Sequence, residues 1–132
     1  MAIQLGTSLR NAMVDVIESH VGTAPYIKIF SGAQPADCQQ ATSGTLLVNI
    51  TLPSDWFTAS TAGTGSKNGT WNGTAIAAGT AGHFRLYNNG TSTCYEQGSA
   101  GTGSVDLVLD NNSIGSGQTV TVTSWTRSVG NA

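Results

Sequence analysis

The sequence predicts a mainly β protein: an antiparallel β-sandwich or barrel of about seven or eight strands behind one N-terminal amphipathic α-helix. Three observations lead there. Only 9% of the 132 residues are charged, and Gly, Thr, Ser, Ala and Asn supply the polarity instead. Thr and Val suit a pleated surface, while Gly and Asn accept the positive φ of tight turns. Short alternating runs recur between turn signals over residues 24–127, and a single helical period precedes them over residues 7–22.

The helix is read from TSLRNAMVDVIESHVG, where Leu9, Ala12, Met13, Val16, Ile17 and Val21 recur at spacings of three and four. That face is expected to lie on an apolar body, with Arg10, Asn11, Asp15, Glu18 and Ser19 turned to water. Thr7 or Ser8 is placed to cap the start and Gly22 to end it.

The strands follow in order. YIKIF (26–30) sets Ile27 and Ile29 on one side, and a polar loop with Pro35 and Gly44 comes next. TLLVNITLP (45–53) alternates, with Leu46, Val48, Ile50 and Leu52 on one face and Leu47, Asn49 and Thr51 on the other. Pro53 ends it, because proline cannot donate into a ladder. Trp56 and Phe57 open a loop from which they can plug one edge of the core. Residues 70–82 form a weak strand of small side chains, and HFRLY (83–87) a firm one with Phe84 and Leu86 inward. Asn88-Asn89-Gly90 turns the chain into a return strand over 93–99. VDLVLD (105–110) and QTVTVTSWT (118–126) complete the set, with Val120 and Val122 inward. The Gly- and Thr-rich segments 60–74 and 97–104 read as loops. No break in composition marks a second domain.

Composition excludes several function classes. Net charge is −2, and the five cations (Arg10, Lys28, Lys67, Arg85, Arg127) are scattered, so no nucleic-acid partner is expected. No apolar run is long enough for a membrane helix, and MAIQLGTSLRNAMV lacks the pattern of a secretory leader. Synthesis in a cytoplasm then makes Cys38 and Cys94 free thiols, bridged only if the fold brings them together. Five N-x-S/T sequons read as chance in a chain rich in Asn and Thr.

Candidate chemistry is sparse, and an enzyme is not expected. The histidines are His20, whose charge complements a helix C-terminus, and His83 at the head of a strand. No G-x-S-x-G, C-x-x-C or H-E-x-x-H occurs. Asp106, Asp110 and Asn112 could surround a Ca²⁺ ion but read better as turn residues, so no metal and no cofactor is expected. Trp56, Trp71 and Trp125 could form a sugar-stacking platform, though core or subunit-interface roles account for them more simply. His83, Arg85 and Tyr87 alternate along one strand face with no third catalytic group near in sequence. They are assigned, with Trp56 and Trp125, as contacts to a neighbouring subunit.

The order of features also carries a resemblance. MAIQLGTSLRNAMVDVIESHVG leads to YIKIFSGAQPADC and GTLLVNITLPSDWF, then AGHFRLYNNGTSTCYEQGS and VDLVLDNNSIGSGQTVTVTSW. Over nearly its full length this resembles a family of small structural proteins of tailed bacteriophages, the head decoration or cement proteins. The resemblance implies a jelly-roll-like sandwich displayed in many copies on the virion capsid surface, commonly as homotrimers. It also implies the major capsid protein as partner, with neighbouring capsid subunits clamped together, and it carries no active-site residues. The rival reading is a tail- or fibre-associated carbohydrate-binding β-sandwich module, which requires exposed tryptophans.

Overall fold

The computed structural model describes residues 3–90 and 93–130. The helix α1 (Thr7–Val21) precedes nine strands: β1 (Tyr26–Ser31), β2 (Leu46–Thr51), β3 (Thr64–Ser66), β4 (Asn72–Thr74), β5 (Gly79–Tyr87), β6 (Cys94–Gly101), β7 (Leu107–Leu109), β8 (Ser113–Ile114) and β9 (Thr119–Ser128). The protein is thus mainly β, sandwich-like, with one N-terminal helix. Pairing runs β2-β1-β5-β6-β7-β9-β3, with β4 also on β9 and β8 on β5. Every pair is antiparallel except β6–β7, which aligns Ala100 with Leu107 in parallel. The sheet curls until β4 reaches β2. There the Ile76 amide donates to the Leu47 carbonyl at 2.8 Å, and a side chain at Gly73 would stand 3.0 Å from the Asn49 carbonyl oxygen.

Three register shifts decide which side chains reach the core. Between β1 and β2, Ile29 faces Val48 but Phe30 faces Leu46, so Leu47 is the extra residue. The bulge turns Leu47 inward beside Val48, where strict alternation places it outside. Between β7 and β9, Val108 faces Ser124 and Leu109 faces Val122, leaving Thr123 as the extra residue. That step reverses the phase of β9 and carries Trp125 into the core with Val120 and Val122. Between β1 and β5, Gly82 is skipped. A Cβ there would lie 2.8 Å from the Gly32 nitrogen, so only glycine admits that backbone.

Other expectations need correction at the ends and in the loops. Neither Thr7 nor Ser8 caps α1; the N-cap is Gly6, without a side-chain bond. Gly22 does end the helix at φ 98°, and its amide returns to the Glu18 carbonyl. The segments 60–74 and 97–104 are not plain loops, because they carry β3, β4 and the end of β6. Residues 70–82 split between β4 and β5. Gly90 takes φ 87° in the turn after β5; the next two positions, including the Thr91 of the Asn89 sequon, lie outside the described residues.

The centre of the core is aromatic. Trp56 sits 5.7 Å from Trp125 and 6.1 Å from Trp71, ring centre to ring centre, and Phe57 meets Trp125 edge-on at 5.2 Å. The Trp56 indole donates to the Gly22 carbonyl and the Trp71 indole to the Asn68 carbonyl. Such rings combine large apolar burial with a single polar atom to satisfy.

Candidate functional site

The residues assigned to a subunit interface are inside the chain. Trp56 is 0% exposed, Trp71 0% and Trp125 1%, so no tryptophan platform faces solvent and the carbohydrate reading loses its surface. His83 is 0% exposed and Arg85 2%, with Tyr87 also buried. This corrects the outer-face assignment of His83, Arg85 and Tyr87 along with that of Trp56 and Trp125. Phe84 and Leu86 do point inward, but the opposite face of β5 is covered as well.

What covers it is the 31–44 loop, and polar bonds hold it down. Asp37 caps its own turn by accepting the Gln39 and Gln40 amides. That turn aims the carbonyls of Asp37 and Gln40 at Arg85, which donates to them at 3.2 and 2.9 Å. The third direction of the guanidinium goes to Gln97 Oε1 on β6, and Gln97 Nε2 donates to the Pro35 carbonyl. Arg85 is thus a buried cation whose five-donor fork is met by carbonyl dipoles. His83 Nδ1 lies 3.0 Å from the Gly32 carbonyl, and its ring stacks on Phe30. Lys28 stands over the Tyr87 ring. A disulfide between Cys38 and Cys94 completes the closure, with Cα atoms 5.3 Å apart. The free-thiol expectation is therefore overturned. Compartment argues only about reducing conditions, whereas the loop's path across β5 brings the two residues together.

The helix departs further from expectation. Arg10, Asn11, Asp15 and Glu18, expected in water, bond to the body, while Ser19 is exposed as expected. Asn11 Oδ1 accepts the Gly63 amide at 2.7 Å, Asp15 accepts the Ser60 amide at 2.9 Å, and Glu18 accepts the Phe57 amide at 2.7 Å. Arg10 donates to the carbonyls of Ala62 and Val129. Val14, between these residues, is buried against Gly65 and Phe57; a Cβ at Gly65 would stand 2.8 Å from the Phe57 ring. Val21 is buried and Ile17 half-buried, so the expected apolar face contributes only its margin. The rest is outside: Leu9 is 52% exposed, Met13 44% and Val16 53%, with Ala12 and Ile3 exposed too.

Beside this stripe runs a groove of about 380 Å³ between the C-terminal half of α1 and β6, lined by Val16, Ile17, His20, Leu86, Tyr95 and Glu96. His20 and Tyr95 meet edge-to-face across it at 5.5 Å. Glu96 pairs with Arg127, whose guanidinium lies 4.3 Å from the centre of the Trp125 ring. Burial pushes Arg127 down to about 10, so it keeps its charge at neutral pH.

A second recess, of about 490 Å³, gathers Asp15, Glu18 and Asp55. Burial raises the Glu18 carboxyl above its ordinary range; the Phe57 amide opposes the shift, and the neighbouring Asp55 charge adds to it. Asp106 and Asp110, weighed above as calcium ligands with Asn112, serve the backbone instead. Asp106 accepts from the Ser99 amide and hydroxyl, and Asp110 from the Thr121 amide. No group of three or more metal-ligating side chains suited to an ion occurs among the described residues.

The sequence therefore locates the apolar stripe correctly and gives it the wrong direction. Periodicity identifies a face; it does not say what covers that face. A signal of the inversion was present, since Asn11, Asp15 and Glu18 are as regularly spaced as the apolar set. Comparison with family models, curated proteins and solved structures returned no match.

Proposed function

We propose that this protein is a virion structural protein, a capsid decoration or cement protein on the outer surface of a phage head, stabilising contacts between major capsid subunits. The sequence resemblance suggests the role. The observation that carries it is the outward apolar stripe of α1 on a scaffold whose three tryptophans, His83 and Arg85 are folded inward. A scaffold of that kind offers a surface to another macromolecule rather than a cavity to a small one. Attachment in many copies makes a modest contact sufficient, because neighbouring sites raise the effective concentration of each. Self-association as a homotrimer or other homo-oligomer belongs to the same reading, as does residence on the capsid surface.

The test is co-sedimentation of the purified chain with undecorated phage heads and with free major capsid subunits. Retention on heads in preference to free subunits is expected. Failure to pellet with heads at any concentration overturns the reading.

A further inference from the structure

We propose that Asn89 is a site of spontaneous modification, where the chain converts its own side-chain amide to a carboxylate and so releases the linker between α1 and β1. The reaction does not depend on the decoration role.

Asn-Gly occurs three times, at 68–69, 72–73 and 89–90. At such a pair the glycine backbone nitrogen can attack the asparagine Cγ. A new N–Cγ bond closes a succinimide ring, the Cγ–Nδ2 bond breaks, and ammonia leaves carrying the glycine amide proton. Water then opens the ring at either carbonyl, giving aspartate or isoaspartate, and no other reactant is consumed. Glycine favours the step because it has no Cβ to hinder the approach and its backbone turns freely. The nitrogen must still reach Cγ, and geometry that holds reacting atoms apart can cost about a hundredfold in rate.

The fold separates the three pairs. Asn68 is pinned on every side: its amide donates to the Trp56 carbonyl, its carbonyl accepts the Trp71 indole, and its side chain donates to the Asp55 carbonyl. Asn72 and Gly73 lie within β4, paired with Thr121 and Val120 of β9, and Gly73 is wedged against Asn49 and Val48. Asn89 and Gly90 are exposed in the turn after β5. A Cβ at Gly90 would meet nothing within 4 Å, so this pair has room to close the ring.

The leaving nitrogen has a task. Asn89 Nδ2 donates to the Ala24 carbonyl at 3.0 Å. Ala24 stands between α1 and β1 at φ 47°, directly before Pro25. Residues with a Cβ seldom take that left-handed conformation, and a following proline favours extended backbone instead. An ionised aspartate at position 89 can only accept hydrogen bonds, so its carboxylate opposes the Ala24 carbonyl and the tether is lost. The Trp56 indole still holds the Gly22 carbonyl, and the Leu52 amide still holds the Pro25 carbonyl. The change is therefore confined to the linker, and the fold survives it.

The site is tested by incubating the full chain, disulfide intact, at mildly alkaline pH, both folded and in denaturant. Digestion and fragment mass spectrometry then assign each amide-to-acid mass gain. In denaturant the three pairs are expected to react at similar rates. In the folded chain Asn89 should react nearly as fast, while Asn68 and Asn72 slow by about a hundredfold. Equal protection of all three overturns the site, as does reaction of folded Asn68 or Asn72 as fast as Asn89. The consequence is read from the backbone carbon chemical shifts of Ala24, which report its φ. They should move toward extended values in Asn89→Asp and in the aged parent, at unchanged melting temperature. Asn89→Ala, which drops the donor without adding charge, should move them the same way. Left-handed shifts that persist at Ala24 in both variants overturn the link between the modification and the linker.

Discussion

Two coverings lie over the β-scaffold, and they invert expectation in opposite senses. The 31–44 loop buries residues whose chemistry suggests the surface: His83, Arg85 and Tyr87. The helix α1 exposes residues whose chemistry suggests the interior: Leu9, Met13 and Val16. In both cases the covering is attached by hydrogen bonds to backbone groups, through Arg85 and Gln97 under the loop and through Asn11, Asp15 and Glu18 under the helix. Directional polar bonds, more than apolar area, decide which way each covering lies. One covering also carries a covalent tie, and the other has an open outer face.

That contrast can be broken first at the tie. Cys38→Ser frees a crosslink spanning 56 residues, and loop-closure entropy of that length is worth about 4 kcal/mol. A denaturant midpoint that does not move would mean the loop is held by its polar bonds alone. Next is Arg85→Met, which keeps the apolar stem but strands the Asp37 and Gln40 carbonyls. A loss of about 3 kcal/mol is expected, with amide exchange accelerated in residues 32–40 before the central strands. Under the helix, Asn11→Ala removes the acceptor of the Gly63 amide and should cost about 1 kcal/mol in thermal unfolding. If its cost equals that of Arg85→Met, the two coverings are bound equally tightly and the contrast fails.

The smallest effect concerns Glu18. Its carboxyl titrates above the ordinary value of 4.5 in the fold, so the folded state binds that proton more readily than the unfolded chain does. Ionised Glu18 therefore costs stability above its raised pKa, and the cost disappears as pH falls below the unfolded value. Glu18→Gln still accepts the Phe57 amide and should melt slightly higher than the parent at pH 7. The gap should close on acidification; a gap that widens toward pH 4 contradicts the assignment.

How far the sequence could be read follows from the same physics. Ile27, Ile29, Phe84, Leu86, Val120 and Val122 alternate without interruption, and all are buried as read. Where a bulge intervenes, alternation misleads: Thr123 shifts the phase of β9, and Trp125 becomes core. No local signal marks that extra residue, because a bulge answers to its partner strand. Arg85 escaped for a related reason. Its cover is contributed by a loop some 45 residues earlier, and nothing in HFRLY hints at the Asp37 turn. The stripe of α1, which carries the proposed function, was legible as a face, while its direction depended on the glycine and amide pattern of residues 57–65.

The Cys38–Cys94 bond has a mechanical consequence. It encloses β2 to β5 in a covalent ring and leaves α1, β1 and β6 to β9 outside that ring. Tension applied to the two chain ends bypasses the segment between the two cysteines, which lie 56 positions apart. At about 3.4 Å per residue, the oxidised chain can be drawn out to about 260 Å, against about 450 Å when the bond is reduced. The ring thus acts as an extension limiter, keeping the middle of the chain out of the load path while the segments before and after it take the strain.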